Sequence, residues 1–226
     1  MKIIQNLLAC LLLLCATQVR AQYYNDDFSL DDPLFYEEEE KVDSHAVYLN
    51  HVYIQYSPTR YNLSNQAPHL SFNEFALGYT RAIQVLENKH YYAEVGAQLK
   101  YSTCPEQAAY GNASFQLLTF KFPINVVYKL YLSKNHDIAL APYAGVNFHA
   151  GLWGQESVGN SNTNLYDHDS TNATQTEWER CQLGWQAGFR FYLSRFYLGV
   201  QYGRDFPDKN KEPHIHQCSA SFGVCF

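Results

Sequence analysis

Methionine occurs once in the 226 residues, at the initiating position, and charged residues make up only 17% of the chain. Apolar runs are short: the longest, Leu7–Ala16, falls well below the ~20 residues that a membrane-spanning helix requires. A membrane domain built from helices is thereby excluded. Basic residues are also scarce, with 16 Lys and Arg against 22 Asp and Glu and a net charge of −6, which argues against nucleic acid as a partner. The six cysteines show no metal-ligand spacing, and the sequence implies neither a metal nor any other cofactor. Aromatic residues, by contrast, are abundant. Nineteen tyrosines and 14 phenylalanines suit strands with aromatic ends better than a helical domain.

The first residues carry one positive charge, a short apolar core and the small-residue stretch Val19-Arg20-Ala21, the pattern of a secretory signal peptide over residues 1–21. Cleavage before Gln22 removes Lys2 and Arg20, leaving 14 basic against 22 acidic residues and a net charge of −8. Cys104, Cys181, Cys218 and Cys225 then remain, in an exported chain where disulfides form readily. Residues 22–45 carry Asp26-Asp27, Asp31-Asp32 and Glu37-Glu38-Glu39-Glu40, and read as an acidic flexible segment.

From residue 46 the chain alternates apolar and polar residues in eight segments. They are about Val47–Ser57, Leu70–Arg81, Tyr91–Ser102, Phe115–Leu132, Ile138–Ala150, Gln182–Leu193, Phe196–Arg204 and His214–Phe226. The third is the clearest. Tyr91, Ala93, Val95, Ala97, Leu99 and Tyr101 share one parity, and Tyr92, Glu94, Gly96, Gln98, Lys100 and Ser102 share the other. Pro58–His69 reads as a loop, and Pro123 as a bulge or break within the fourth segment. Connections alternate short and long, and Gly151–Cys181 is the longest. An even strand number, with short turns at one end and long loops at the other, predicts an all-β, eight-stranded antiparallel up-and-down transmembrane barrel over residues 46–226. The apolar parity faces lipid and the small or polar parity fills the interior.

The last segment ends on Phe222, Val224 and Phe226 on its apolar parity. It resembles the closing strand of bacterial outer-membrane proteins, where this terminal pattern is the assembly signal. That resemblance implies the barrel-assembly machinery as a partner, besides outer-membrane lipids and lipopolysaccharide. Phe120-Lys121-Phe122-Pro123-Ile124-Asn125-Val126-Val127-Tyr128, Pro142-Tyr143-Ala144-Gly145-Val146 and Ser221–Phe226 resemble stretches of the PorT-like outer-membrane β-barrel family. The family consists of small barrels, and one namesake serves a protein-secretion apparatus. No residue here singles out that role.

An eight-stranded barrel is just wide enough to be filled by its own side chains, so inward charges need partners. The inward parity supplies Glu74, Glu94, Lys100, Lys121, Lys129 and Arg190. The expected pairs are Glu94 with Lys121 and, diagonally, Glu74 with Lys100. Cys104 and Cys181 fall at the long-loop end, where a disulfide could tie two loops. Asp167, His168 and Ser170 in the longest loop, and His149 at the top of the fifth segment, are the residues a hydrolase would use. Converging a Ser-His-acid site from consecutive loop residues is geometrically demanding. The sequence therefore favours a non-enzymatic structural, adhesive or assembly-accessory barrel with a surface or periplasmic protein partner and a periplasmic N-terminus. Two alternatives stand beside it: an outer-membrane lipid-modifying hydrolase or acyltransferase, and a secreted soluble barrel whose apolar faces line a ligand cavity.

Overall fold

The computed structural model describes residues 50–63, 68–85, 90–133, 138–167, 178–206 and 213–226. Its strands are β1 (Asn50–Asn62), β2 (Leu70–Gln84), β3 (Tyr91–Gln107), β4 (Ala113–Tyr128) and β5 (Leu130–Tyr131), followed by β6 (Ile138–Val158), β7 (Ser161–Asn164), β8 (Cys181–Leu193), β9 (Phe196–Asp205) and β10 (His214–Cys225). Each long strand pairs antiparallel with its neighbours in the order β4-β3-β2-β1-β10-β9-β8-β6, and β4 also pairs with β6, so the sheet closes into an eight-stranded ring. The two small strands are appendages. β5 prolongs β4 in the same register against β6, and β7 folds back on the tip of β6. First and last strands are sealed by reciprocal backbone bonds between Asn50 and Phe226, at 3.0 and 2.9 Å.

The parity of each strand decides which way its side chains face. Val95 is 44% and Phe122 45% exposed on the outside, while Glu94 is 0% and Lys121 2% exposed within. A water-soluble barrel would need the opposite arrangement, with its apolar residues enclosed. This removes the soluble apolar-ligand reading and is the arrangement that a bilayer requires. No helix among the described residues is long and apolar enough to cross a membrane; the strands do so.

Proline accounts for three departures from the expected segments. β1 runs through Pro58 to Asn62 and is not interrupted by a loop there: Pro58 pairs with Asn73 of β2, and only the rungs toward β10 at Ser57 and Pro58 are missing. Pro123 makes no bulge. The β3–β4 register is the same on both sides of it, and the ladder skips only the rungs of Phe122 and Pro123. Pro142 lies opposite Tyr128, beside the break at Lys129 that separates β4 from β5. Each of these three prolines lacks a donor, and the ladder gives up two rungs there without changing register. The bulges lie elsewhere, between Cys104 and Gln107 of β3 and opposite Leu118 and Thr119 in β6, where Leu152 is the extra residue. The second bulge lets β6 continue to Val158, beyond the expected end at Ala150, with its inward parity switched.

Inside the ring, buried residues form an apolar cluster at each end. At the short-turn end it is rich in tyrosine: Tyr53, Tyr92, Tyr143, Tyr192 and Tyr197, with Val127 and Cys225. At the long-loop end Tyr61, Phe72, Phe115, Leu117 and Ile215 surround Trp178. Glu74, Glu94, Lys100, Lys121 and Arg190 lie between these two clusters.

Candidate functional site in the barrel lumen

The lower of two ionic layers forms where β3, β4 and β8 turn Glu94, Asn125 and Arg190 inward. The Arg190 guanidinium grips Glu94 with both terminal nitrogens. Nη2 donates to Oε1 at 2.8 Å, and Nη1 donates to Oε2. Asn125 Nδ2 donates to the same Oε1 at 2.8 Å, and His51 Nδ1 lies 3.5 Å from Oε2 and 3.2 Å from Thr80 Oγ1. Arg190 also lies over the rings of Tyr143 and Tyr197, 4.4 and 5.6 Å from their centroids. A line of amides extends from this layer along the wall: Gln186 donates to Asn125 Oδ1 at 2.7 Å, Gln201 to Gln186 Oε1 at 3.2 Å, and Tyr143 to Gln201 Oε1 at 2.9 Å.

The upper layer centres on Glu74. Its carboxylate accepts from Thr59 at 2.7 Å, Ser102 at 2.9 Å, Gln217 at 3.0 Å and Tyr61 at 3.1 Å. Lys100 Nζ adds the positive charge at 3.1 Å from Oε1, off the hydrogen-bonding angle. The diagonal pair expected from the sequence is therefore in contact. The expected Glu94–Lys121 pair is not. Along β3 and β4, Glu94 sits opposite Asn125 and Lys121 opposite Gln98, a four-residue offset of ~13 Å. Lys121 instead donates to Gln217 Oε1 at 3.4 Å. Lys129, at the β4–β5 break, lies over the rings of Tyr92 and Tyr192 at 4.8 and 5.2 Å.

Trp178 caps the upper layer. Its indole lies between Tyr61 and Phe115 at interplanar angles of 28° and 21°, edge-on to Phe72. Nothing in the strand alternation points to this residue, because it lies between strands. His51, Asn125, Gln186 and Tyr197 also escaped the sequence reading. Inward parity marks all four, but polar and aromatic residues of that parity draw no attention unless they carry charge.

Cys104 and Cys181 are not joined; all four described cysteines are free. Cys104 is buried with the Trp178 cluster while Cys181 is exposed on the outer wall, so the two thiols face opposite sides of the sheet. His149 is buried, and its Nδ1 has no hydrogen-bond partner, hence no nucleophile to activate at that atom. His168 and Ser170 lie outside the described residues, as do the signal and acidic segments, and Asp167 is exposed just after β7. No group of three His, Cys, Asp or Glu residues suited to a metal occurs among the described residues. Among the described residues, two small cavities lie within the ring. The one beside Gln98, Arg190 and Gln201 measures about 10 Å³, and the one beside His149 and Trp178 about 20 Å³. Each has room for roughly one water molecule.

No family model matches the chain, and no curated protein matches it. Among solved structures, the chain is similar to the outer membrane enzyme PagL at 12% identity, covering 78% of this chain and 99% of that one with a TM-score of 0.49. It is similar to Neisserial surface protein A at 14% identity, covering 78% and 97% with a TM-score of 0.49. The attachment invasion locus protein Ail of Yersinia pestis matches at 12% identity, covering 78% and 97% with a TM-score of 0.47.

Proposed function

We propose that this outer-membrane barrel is a non-enzymatic scaffold of structural, adhesive or assembly-accessory type that meets its partners through the long-loop end. The observation that carries this reading is the filled interior. Among the described residues, two ionic layers and a capping indole enclose cavities of about 10 and 20 Å³, too small for an ion path or a substrate. With the lumen closed, the loops and the outer wall are the surfaces left for interaction. The short-turn end is taken as periplasmic, with the N-terminus on that side, because bacterial barrels place short turns there and long loops outside. A surface or periplasmic protein is the expected macromolecular partner. Phe222 and Val224 face outward on β10 and Phe226 completes the seal with Asn50, which supports a reading of this strand by the barrel-assembly machinery. The resemblance of Phe120–Tyr128 to the PorT-like family supports the same class of small barrel.

Three measurements test the reading. An epitope inserted among residues 168–177 should be labelled on intact cells, and labelling only after the outer membrane is broken would reverse the orientation. The barrel in a planar bilayer should show no steady conductance; a stable open level would contradict the closed lumen. The lipopolysaccharide acyl pattern should be the same with and without His149→Ala and His168→Ala, and a changed pattern would favour the lipid-modifying alternative.

A further inference from the structure

The outer wall carries a depression that neither the lumen nor the loops explain. On β10, alternate residues His216, Cys218 and Ala220 face outward. Register carries the Cys218 position sideways to Tyr202, Ala187 and Ala144, and the Ala220 position to Val200, Phe189 and Pro142. Beside Tyr202, Val200 and Phe189, these rows present three alanines, a cysteine and a proline, where most outward barrel positions present Leu, Phe or Val. The small side chains leave a shallow, largely open apolar groove of about 850 Å³, with Tyr56, Tyr128 and Tyr202 along it.

One outward step nearer the long-loop end, ~7 Å along the strands, the character changes. Arg60, His216 and Arg204 stand side by side on three adjacent strands, β1, β10 and β9. Both arginines are exposed, and among the described residues neither has a carboxylate partner. Arg60 and His216 lie one outward step before β1 and β10 end at Asn62 and His214, and Arg204 lies next to the end of β9 at Asp205, the depth of the membrane interface. Tyr202 links the two features, its hydroxyl lying 3.3 Å from His216 Nδ1 while its ring edges the groove.

We infer that this face holds lipopolysaccharide, with the anionic head on Arg60, His216 and Arg204 and the acyl chains in the groove beneath. The charge and the groove each narrow the choice of occupant. Apolar protein surface gains little by leaving lipid tails for this groove, because the tails are equally apolar. A peptide laid there would leave backbone groups without partners. Acyl chains carry no such penalty, and arginines without a carboxylate partner among the described residues suit an anion at the head end, which the guanidinium fork binds well. The cation row spans two inter-strand steps, ~10 Å, wider than one phosphodiester and suited to a head bearing several anionic groups. The groove spreads from β4 to β1, broader than the tails of one two-chain phospholipid. The choice of the outer-leaflet glycolipid rests on the orientation proposed above.

The test uses the full-length barrel purified from outer membranes and then reconstituted in nanodiscs. Lipopolysaccharide retained per barrel is read by mass spectrometry of its hydroxylated acyl chains, alongside retention of phosphatidylglycerol. Folding of each variant is checked by heat-modifiable gel migration. The wild type should retain lipopolysaccharide in near-stoichiometric amount and phosphatidylglycerol at least tenfold less. The R60A/R204A variant should lose at least tenfold of that retention. Ala187→Trp, which fills the groove but leaves the cations in place, should lose a similar amount, and R60K/R204K should keep most of it. Equal retention by the wild type and both loss variants would overturn the site. So would phosphatidylglycerol binding as well as lipopolysaccharide, or no lipid retained by the wild type. An epitope in residues 168–177 that proves to be periplasmic would remove the orientation, whereas the nanodisc measurement reads the site itself.

Discussion

Two buried glutamates sit in the same lumen and are neutralised in different ways. Glu74 is held by its neighbours: Thr59 and Tyr61 on β1, Ser102 and Lys100 on β3, each on a strand next to its own β2. Gln217 on β10, the strand beyond β1, adds the remaining donor. Glu94 is held across the barrel. Its guanidinium partner comes from β8, three strands away around the ring and 96 residues along the chain. The first arrangement satisfies a charge within the wall. The second joins opposite walls and fixes the cross-section, so the two sites should respond differently when each is damaged.

The largest effect is expected at the cross-lumen pair. Arg190→Ala leaves Glu94 buried without its cation and should cost about 3–5 kcal/mol, read from urea unfolding of the barrel in phospholipid vesicles. The E94L/R190M double variant should recover most of that loss, because an apolar pair of similar volume avoids the desolvation of two ions. A double variant as unstable as R190A would show that the ion pair itself, and not the uncompensated charge, holds the walls. Glu74→Gln is a milder change. It removes the charge opposite Lys100 but keeps an acceptor for the surrounding hydroxyls, for an expected loss of about 1.5–3 kcal/mol. A loss exceeding that of R190A would invert the ranking of the two sites. Lys121→Met should matter least. Lys121 makes one long bond, to Gln217 at 3.4 Å, so replacing a desolvated ammonium with an apolar chain should change stability by under about 1 kcal/mol or raise it. A marked loss would mean that Lys121 serves the Glu74 layer beyond that single bond.

The same contrast explains what could be read in the chain beforehand. Alternation assigned Glu74, Glu94, Lys100, Lys121 and Arg190 to the interior, because a period of two leaves no freedom once one face meets lipid. Glu74 and Lys100 lie on consecutive strands, where hairpin register brings them within reach. Glu94 and Arg190 are brought together by closure of the ring, and the strand tilt that decides which residues face each other across a lumen leaves no local trace. Expecting Lys121 to meet Glu94 assumed a register four residues from the real one. Pro58 and Pro123 read as interruptions because a proline lacks a donor. In a closed sheet, each strand has a second edge that keeps its partner, so the strand survives the lost rung. Trp178 lies outside any alternating segment, and its place against Tyr61, Phe72 and Phe115 is a long-range contact that no local pattern records.

The orientation of the two faces underlies all of this, and spin labels placed one at a time at Val95, Phe122 and Val200 read it directly in a bilayer. Collision with oxygen, which concentrates in hydrocarbon, should be high at all three positions, and collision with a water-soluble nickel chelate should be low. Labels that meet nickel freely, or that meet neither reagent because they are sealed within the protein, would contradict a barrel whose apolar side chains face lipid and whose charges are enclosed.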